Sequence, residues 1–514
     1  MTKLDLVRPA SFRIAAALMI ALVVGWVTGC ANRQVQRTFP SREVADFSPS
    51  GQTEMVDRWW TAFDNPQLNQ QINQALGGNY TLAAALHRLR AARAVTRREA
   101  ADLFLQVDGV ASLDSTFGPG PDRTRLNWGL DAGYQVDLWG RIQSRVDAER
   151  LRAEATAADY QAVALSLAAE VARTWFALIE AHAQLELLQV QIETNRTGLK
   201  AQELRFGEGG FVRSPDVLRQ RQLVESTLEQ EVVVRARIET LEHQLAVLVG
   251  EMPQNASYQP GSELPDLPPL PSTGLPSDLL MRRPDVRSDY LAFAAADRDL
   301  AAAITAQYPR INLTGSLINA ADRPEDLFRD WFVSIGGQLI APLLNGGRLR
   351  AEVDRTAAVV CQRFNEYGQT MLNAFAEVED SLALERYQIQ RIERLNAQVG
   401  FAKQASDQLR EQYLIGDANY LDVLSAIQAQ QRLQRETLSA RLDLVLIRIG
   451  LYLALAGDFD TQPQLATLPP FNVPLQVESD ATDQSTRLPA AEPPAESSAV
   501  PLRPADLPPP EPLP

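Results

Sequence analysis

Any chemistry in this chain would have to come from a short set of side chains. The three histidines, His87, His182 and His243, lie far apart, and none sits in a metal-ligand spacing. The two cysteines, Cys30 and Cys361, are too few for a disulfide framework. Cys361 falls inside a long helical pattern and is expected as a small packed residue. Phe206-Gly207-Glu208-Gly209-Gly210 has the glycines of a phosphate loop. No strand precedes it and no GK[ST] follows, so it reads as a turn. Walker, Rossmann and nucleophile-elbow motifs are absent from the sequence. The expectation is a protein that is not an enzyme, with no catalytic residue, no cofactor and no metal ion. A formal net charge of −15 without a basic patch argues against a nucleic-acid partner.

One cysteine does sit in a chemical context. Lys3, Arg8 and Arg13 form a positive start, and Ile14 to Val27 an apolar run too short for a comfortable permanent anchor. The run ends Val27-Thr28-Gly29-Cys30, which resembles the bacterial lipobox. Cys30 is then the expected lipidation site and the mature N-terminus; a plain signal peptide with an incidental cysteine is the alternative. Residue 31 is alanine rather than aspartate, which by the same resemblance sends the protein to the outer membrane. Acyl chains anchor because each buried methylene adds about 0.8 kcal/mol.

The stretch that must be positioned is Asn127 to Arg141, NWGLDAGYQVDLWGR. Trp128, Leu130, Ala132, Tyr134, Val136 and Leu138 alternate with polar residues and glycine, so one strand face is apolar and the other wet. Trp128, Leu130, Tyr134 and Val136 are the expected lipid-facing residues. The length suits a tilted strand crossing a bilayer, roughly 9–11 residues, although an ordinary half-buried strand has the same pattern. After Gly140 the period turns helical and stays so. The joint occurs twice: WFVSIGGQLIA, from Trp331, leads through Pro342 to Gly346-Gly347-Arg348 and a second long helix. Gly140-Arg141 recurs as Gly347-Arg348, and LAVLVG ending at Gly250 recurs at the same interval as YLALAG ending at Gly457. The 514-residue chain is a tandem duplication.

The expected organisation follows: a signal peptide over 1–29, an arm over 30–57 and a first repeat over 58–250. A Pro-rich linker over 251–277 leads to a second repeat over 278–457. Each repeat carries helices, a β-hairpin and a long helical hairpin. In the first long helix Ala164, Val171, Leu178, Leu185 and Ile192 recur every seventh residue, with Leu167, Ala181 and Leu188 in the second seam position, which is coiled-coil packing. Residues 458–514 hold nine acids against two bases and no apolar period, the composition of a disordered tail.

These residues resemble a known family, the TolC-like outer-membrane efflux factors, in their lipoprotein branch of the OprM/NodT type. The stretches that carry the likeness are YQVDLWGR (134–141), LLMRRPDVR (279–287), AAITAQYPRINLTGS (302–316), APLLNGGRLRAEV (341–353), AFAEVEDSLA (374–383) and YLIGDANYLDVLSA (413–426). The resemblance implies an α+β membrane protein. Three protomers would give four strands each to a 12-stranded transmembrane β-barrel, and their helices to a long coiled-coil α-barrel in the periplasm. Physics points the same way, because four strands cannot close a barrel and lipid forbids an open edge.

The implied function is an outer-membrane channel-tunnel: a passive export duct for drugs or other small molecules in a tripartite efflux system. Its partners would be a second and third copy, a periplasmic adaptor protein, an inner-membrane pump and outer-membrane lipid. Related ducts serve type I protein secretion and metal efflux, and a non-conducting periplasmic coiled-coil spacer is a further reading. By resemblance the periplasmic gate involves Tyr413, Asn419, Asp422 and Ser425, with Asp422 at the family's carboxylate-ring position. Asp422 could instead serve only as a charge at a helix start.

Overall fold

The computed structural model describes residues 47–461, apart from 49–50, 54, 120–122, 208–212, 255, 275–281, 324–325, 327, 456, 458 and 460. The signal stretch with Cys30, most of the arm and nearly all of the C-terminal tail lie outside the described residues.

A 3-10 turn at Trp59–Phe63 leads into α1 (Pro66–Gly78) and α2 (Tyr80–Ala101). Then come strands β1 (Gln106–Thr116) and β2 (Arg123–Val136), the long helix α3 (Arg141–Gly207) and α4 (Ser214–Val249). The second run is α5 (Pro284–Thr305), β3 (Arg310–Ala321), β4 (Trp331–Ile340), α6 (Arg348–Ile415) and α7 (Tyr420–Leu455). Helices α3 and α6 have 67 and 68 residues. At 1.5 Å per residue each is a rod on the order of 100 Å long.

Local chemistry explains where these rods begin and end. The Asp137 carboxylate accepts the backbone N–H of Ile142 at 3.0 Å and of Gln143 at 2.8 Å, which starts α3. Helix α6 ends at Gly416 with φ +86, where Asp417 N–H donates to the Gln412 carbonyl at 2.8 Å. Helix α4 ends the same way at Gly250, also at φ +86. A side chain there would be strained, and its Cβ would stand 2.2 Å from the Gly78 carbonyl oxygen. Asn79 joins the same corner: it accepts from Leu82 N–H and donates to the Leu248 carbonyl at 3.0 Å.

The main core lies halfway along α3. Ala164, Ala168, Val171, Trp175 and Phe176 pack on Leu68 and Ile72 of α1 and on Ile449 and Tyr452 of α7. The Trp59 ring stacks on Tyr452 at 5.7 Å, and Phe63 meets Phe176 at 5.0 Å. Beside this core is a buried bidentate ion pair. Arg448 donates to Glu385 at 2.8 and 2.6 Å, and also to the carbonyls of Pro268 and Pro269. The Pro-rich stretch is therefore strapped down rather than loose. Thr53 bridges Pro271 in parallel, and Leu264, Leu267 and Leu270 rest on the core. Cys361 is exposed, against the expectation of packing. On α6 the positions packed with α5 are Val353, Ala357, Val359 and Val360, and Cys361 is not among them.

Candidate functional site

The four strands form one antiparallel sheet in the order β1-β2-β3-β4, so the seam between the repeats is the β2–β3 pairing from Leu126↔Ala321 to Val136↔Ile311. The register aligns the apolar faces across all four strands. Leu130 pairs with Leu317 and Leu317 with Val333; Tyr134 pairs with Leu313, and Val136 with Ile311. Trp128, Leu130, Tyr134 and Val136 thus share one face with Val107, Ile335 and Leu339. That face has no core beneath it: Ile335 is 89% exposed and Val333 70%. Exposed apolar area on this scale marks a surface that something else covers.

Aromatic groups bracket the sheet. At one end the Trp128 indole N–H donates to the side-chain oxygen of buried Asn319 at 3.2 Å, and its ring lies 4.8 Å from Phe328 and 4.9 Å from Trp331. At the other, Trp139 lies 5.2 Å from Tyr308 and donates to the Pro309 carbonyl. About eleven residues separate the two indoles along the chain. At about 3.3 Å per residue and a tilt of about 40° they are on the order of 28 Å apart in height, close to the apolar band of a membrane barrel.

The opposite face is polar. Gln135, Asn312 and Gln338 form one row, and Asp108, Asp131, Ser316 and Ser334 another. Asp108 stands directly opposite Asp131. Like charges so placed repel unless water screens them, so this face belongs in water. The outer edges of β1 and β4 pair with no strand of the chain among the described residues. Such edges can enter a membrane only when closed by other strands.

The far ends of the long helices hold the second set of expected residues. Tyr413, Asn419, Asp422 and Ser425 gather at the α6–α7 turn. The Tyr413 hydroxyl donates to Gln202 of α3 at 3.1 Å, and the Arg205 guanidinium lies over its ring at 5.6 Å. The Asn419 carbonyl accepts the N–H of Asp422 at 3.1 Å, and the Ser425 hydroxyl donates to the Asp422 carbonyl at 2.9 Å. The Asp422 carboxylate is in the first turn of α7, exposed, with no ion pair or hydrogen bond to its side chain among the described residues.

Sequence reasoning missed what fastens this turn to the first helical hairpin. Tyr420 is buried, and its hydroxyl donates to Gln220 of α4. Burial, with smaller contributions from Tyr413 and Asp216, raises its pKa well above the ordinary tyrosine value. Gln220 in turn donates to the Asn195 carbonyl at 2.7 Å. The Asn195 amide exchanges hydrogen bonds with Gln431 of α7 at 3.2 and 2.9 Å. Gln191 continues the chain to Gln434 at 3.0 Å. The available signal was the recurrence of Gln184, Gln191, Asn195 and Gln202 beside the apolar seam of α3, all of them buried.

This geometry has counterparts among known proteins. The model of the family described as outer membrane efflux protein matches residues 71–251 and 275–457. The pyoverdine export outer membrane protein OpmQ of Pseudomonas aeruginosa is 29% identical over 432 residues, covering 80% of this chain and 89% of that protein. The toluene efflux pump outer membrane protein TtgI of Pseudomonas putida is 30% identical over 415 residues, covering 77% and 86%. The structure of the outer-membrane channel OprN superposes with a TM-score of 0.76 at 26% identity, over 84% of this chain and 100% of that one. The two matched blocks take up more than half of the sequence, one on each side of the Pro-rich strap, and on that basis the chain belongs to the outer membrane efflux protein family.

Proposed function

We infer that the protein is the outer-membrane duct of a tripartite efflux system, a passive channel through which small molecules leave the cell. The observation that carries this is the sheet: one continuous apolar face, one wet face bearing opposed carboxylates, and two open edges. Three copies joined β4 to β1 would close a 12-stranded barrel with lipid outside and water inside. The long helices would continue the bore through the periplasm toward an adaptor and an inner-membrane pump. Relatives named for export of pyoverdine and of toluene support a small-molecule cargo. Cys30 would carry the lipid anchor, and three Asp422 carboxylates at the periplasmic end would form a cation-attracting ring at the gate.

Conductance in planar bilayers tests the duct. The purified protein should run as a trimer by light scattering and open steps of ion current; a trimer that never conducts would make it a spacer instead. Two neighbouring substitutions test the faces. Tyr134→Asp should cost up to a few kcal/mol of stability on the lipid side, whereas Gln135→Asp should be close to neutral. Equal damage would reverse the assignment. Palmitate labelling should vanish in Cys30→Ala.

A further inference from the structure

A pocket of about 400 Å³ lies where the sheet meets α3. Gln106, Gln135, Asn312 and Thr314 line it from the polar face of the sheet, and Asp102 and Arg141 from the helix ends. Arg141 is the one cation among its described lining residues. A cavity of this size with a few polar groups converging on a fixed charge has the form of a small-molecule site.

Arg141 is short of counter-charge. Its Nη2 donates to the side-chain oxygen of Gln135 at 3.2 Å, a neutral acceptor, and its Nε is buried with no hydrogen-bond partner. The neighbouring carboxylates are committed elsewhere. Both oxygens of Asp137 accept backbone N–H groups of α3, and Glu99 and Asp102 pair with Arg145. Arg310 stands on the same polar strand face as Asn312, two residues away, and has no ion pair among the described residues. Partial burial, followed by the charges of Arg145 and Arg310, lowers the Arg141 pKa against the opposing pull of Asp137 and Asp102. A guanidinium keeps its proton all the same, so an anion is what such a site lacks. The strand-to-helix joint can be built without this pocket. At the second joint the equivalent Arg348 is exposed, and Pro342 and Leu344 stand where Gln135 and Asp137 stand in the first.

We propose that this pocket binds the carboxylate of a small organic anion. The Arg141 guanidinium supplies the charge, and the amides of Gln135 and Asn312 and the hydroxyl of Thr314 supply neutral donors. A lipid headgroup is not the occupant, because the lining strand residues are on the polar face of the sheet, opposite Leu130, Tyr134 and Val136. The meaning of the site rests on the duct reading above. There the polar face lines the bore, and three copies set three such sites where the strand barrel passes into the helical tube. The class of cargo they favour is then a small molecule that carries a carboxylate.

The test is calorimetric titration of the detergent-solubilised full chain with benzoate, and with benzamide as its uncharged counterpart. Benzoate should bind saturably and benzamide should not. Arg141→Gln should weaken benzoate by about tenfold or more, as expected for the loss of a charge-assisted contact, whereas Arg348→Gln should leave it unchanged. No saturable benzoate binding, equal binding of benzamide, or equal loss in both arginine variants overturns the proposal. Should Arg141→Gln fail to fold by circular dichroism, Asn312→Leu decides, because it keeps the guanidinium and puts an apolar side chain on the pocket wall. It should weaken benzoate to a similar degree, and unchanged binding overturns the site. Current through planar bilayers separates this from the duct reading. Benzoate should reduce the current of the wild type and not that of Asn312→Leu. A conducting protein whose current ignores benzoate overturns the site in the bore and leaves the duct standing. A protein that binds benzoate and never conducts overturns the duct and leaves the anion site standing.

Discussion

Asp216 and Asp422 occupy the same place in the two repeats, the first turn of the return helix, in the similar strings SPDVL and YLDVL. Their surroundings are opposite. Asp216 is buried and held by Arg213 at 3.4 Å and Arg219 at 3.2 Å, three residues to either side. At the corresponding positions around Asp422 stand Asn419 and Ser425, and Asp422 is exposed. One carboxylate is tied into its own helix. The other has no such tie among the described residues. A charge near a helix N-terminus is favourable in both places, so the difference lies in the neighbours rather than in the residue.

Of the changes at these two turns, Asp216→Ala should have the largest effect on stability, about 1–2 kcal/mol. It removes two charge-assisted contacts and a helix-start charge, discounted because Arg213 and Arg219 keep much of their water. The loss would show in urea unfolding followed by circular dichroism, with ion selectivity unchanged. Tyr420→Phe comes next, at about 1 kcal/mol for the hydrogen bond lost to Gln220. It also has a pH signature. With its pKa raised in the folded state, the wild-type contribution is full below the ordinary tyrosine value of 10 and is lost as pH rises past it. The decline of stability in alkali should therefore be shallower in the variant. Asp422→Asn should change stability by less than about 0.5 kcal/mol while reducing cation selectivity and block by periplasmic divalent ions. A stability loss equal to that of Asp216→Ala would erase the contrast. The smallest expected change in stability is that of Ser425→Asp, which should raise cation selectivity by adding a second carboxylate beside the first.

Much of this architecture was legible because it is periodic. The switch from alternation to helical spacing at Gly140 and again at Gly347 marked the strand-to-helix joints to within a few residues. β2 begins at Arg123, earlier than its apolar alternation suggests, since its outer end is polar. Pairings between distant residues left no such trace. Arg448 with Glu385 and the prolyl carbonyls is a three-way contact that no local pattern encodes. Gln191 and Asn195 resemble the solvated positions of a heptad and turn out to be buried because α7 supplies their partners. Tyr413, Asn419, Asp422 and Ser425 lie at one turn, as their nearness in sequence requires, yet Tyr413 and Tyr420 face the first hairpin, a direction that depends on how α3, α4 and α7 pack.

The pairing of β2 with β3 also sets a timetable. Its partners, from Leu126↔Ala321 onward, are separated by most of the first repeat's helical hairpin, the strap and α5. During export the first hairpin emerges long before the strand that will complete it. A lone two-stranded hairpin is marginal in water, and contacts this distant in sequence form slowly. The apolar face of β1 and β2 must therefore wait uncovered for its own second half, β3 and β4. Nascent protein is most prone to aggregation in that interval, while apolar strand faces and unpaired edges are exposed together.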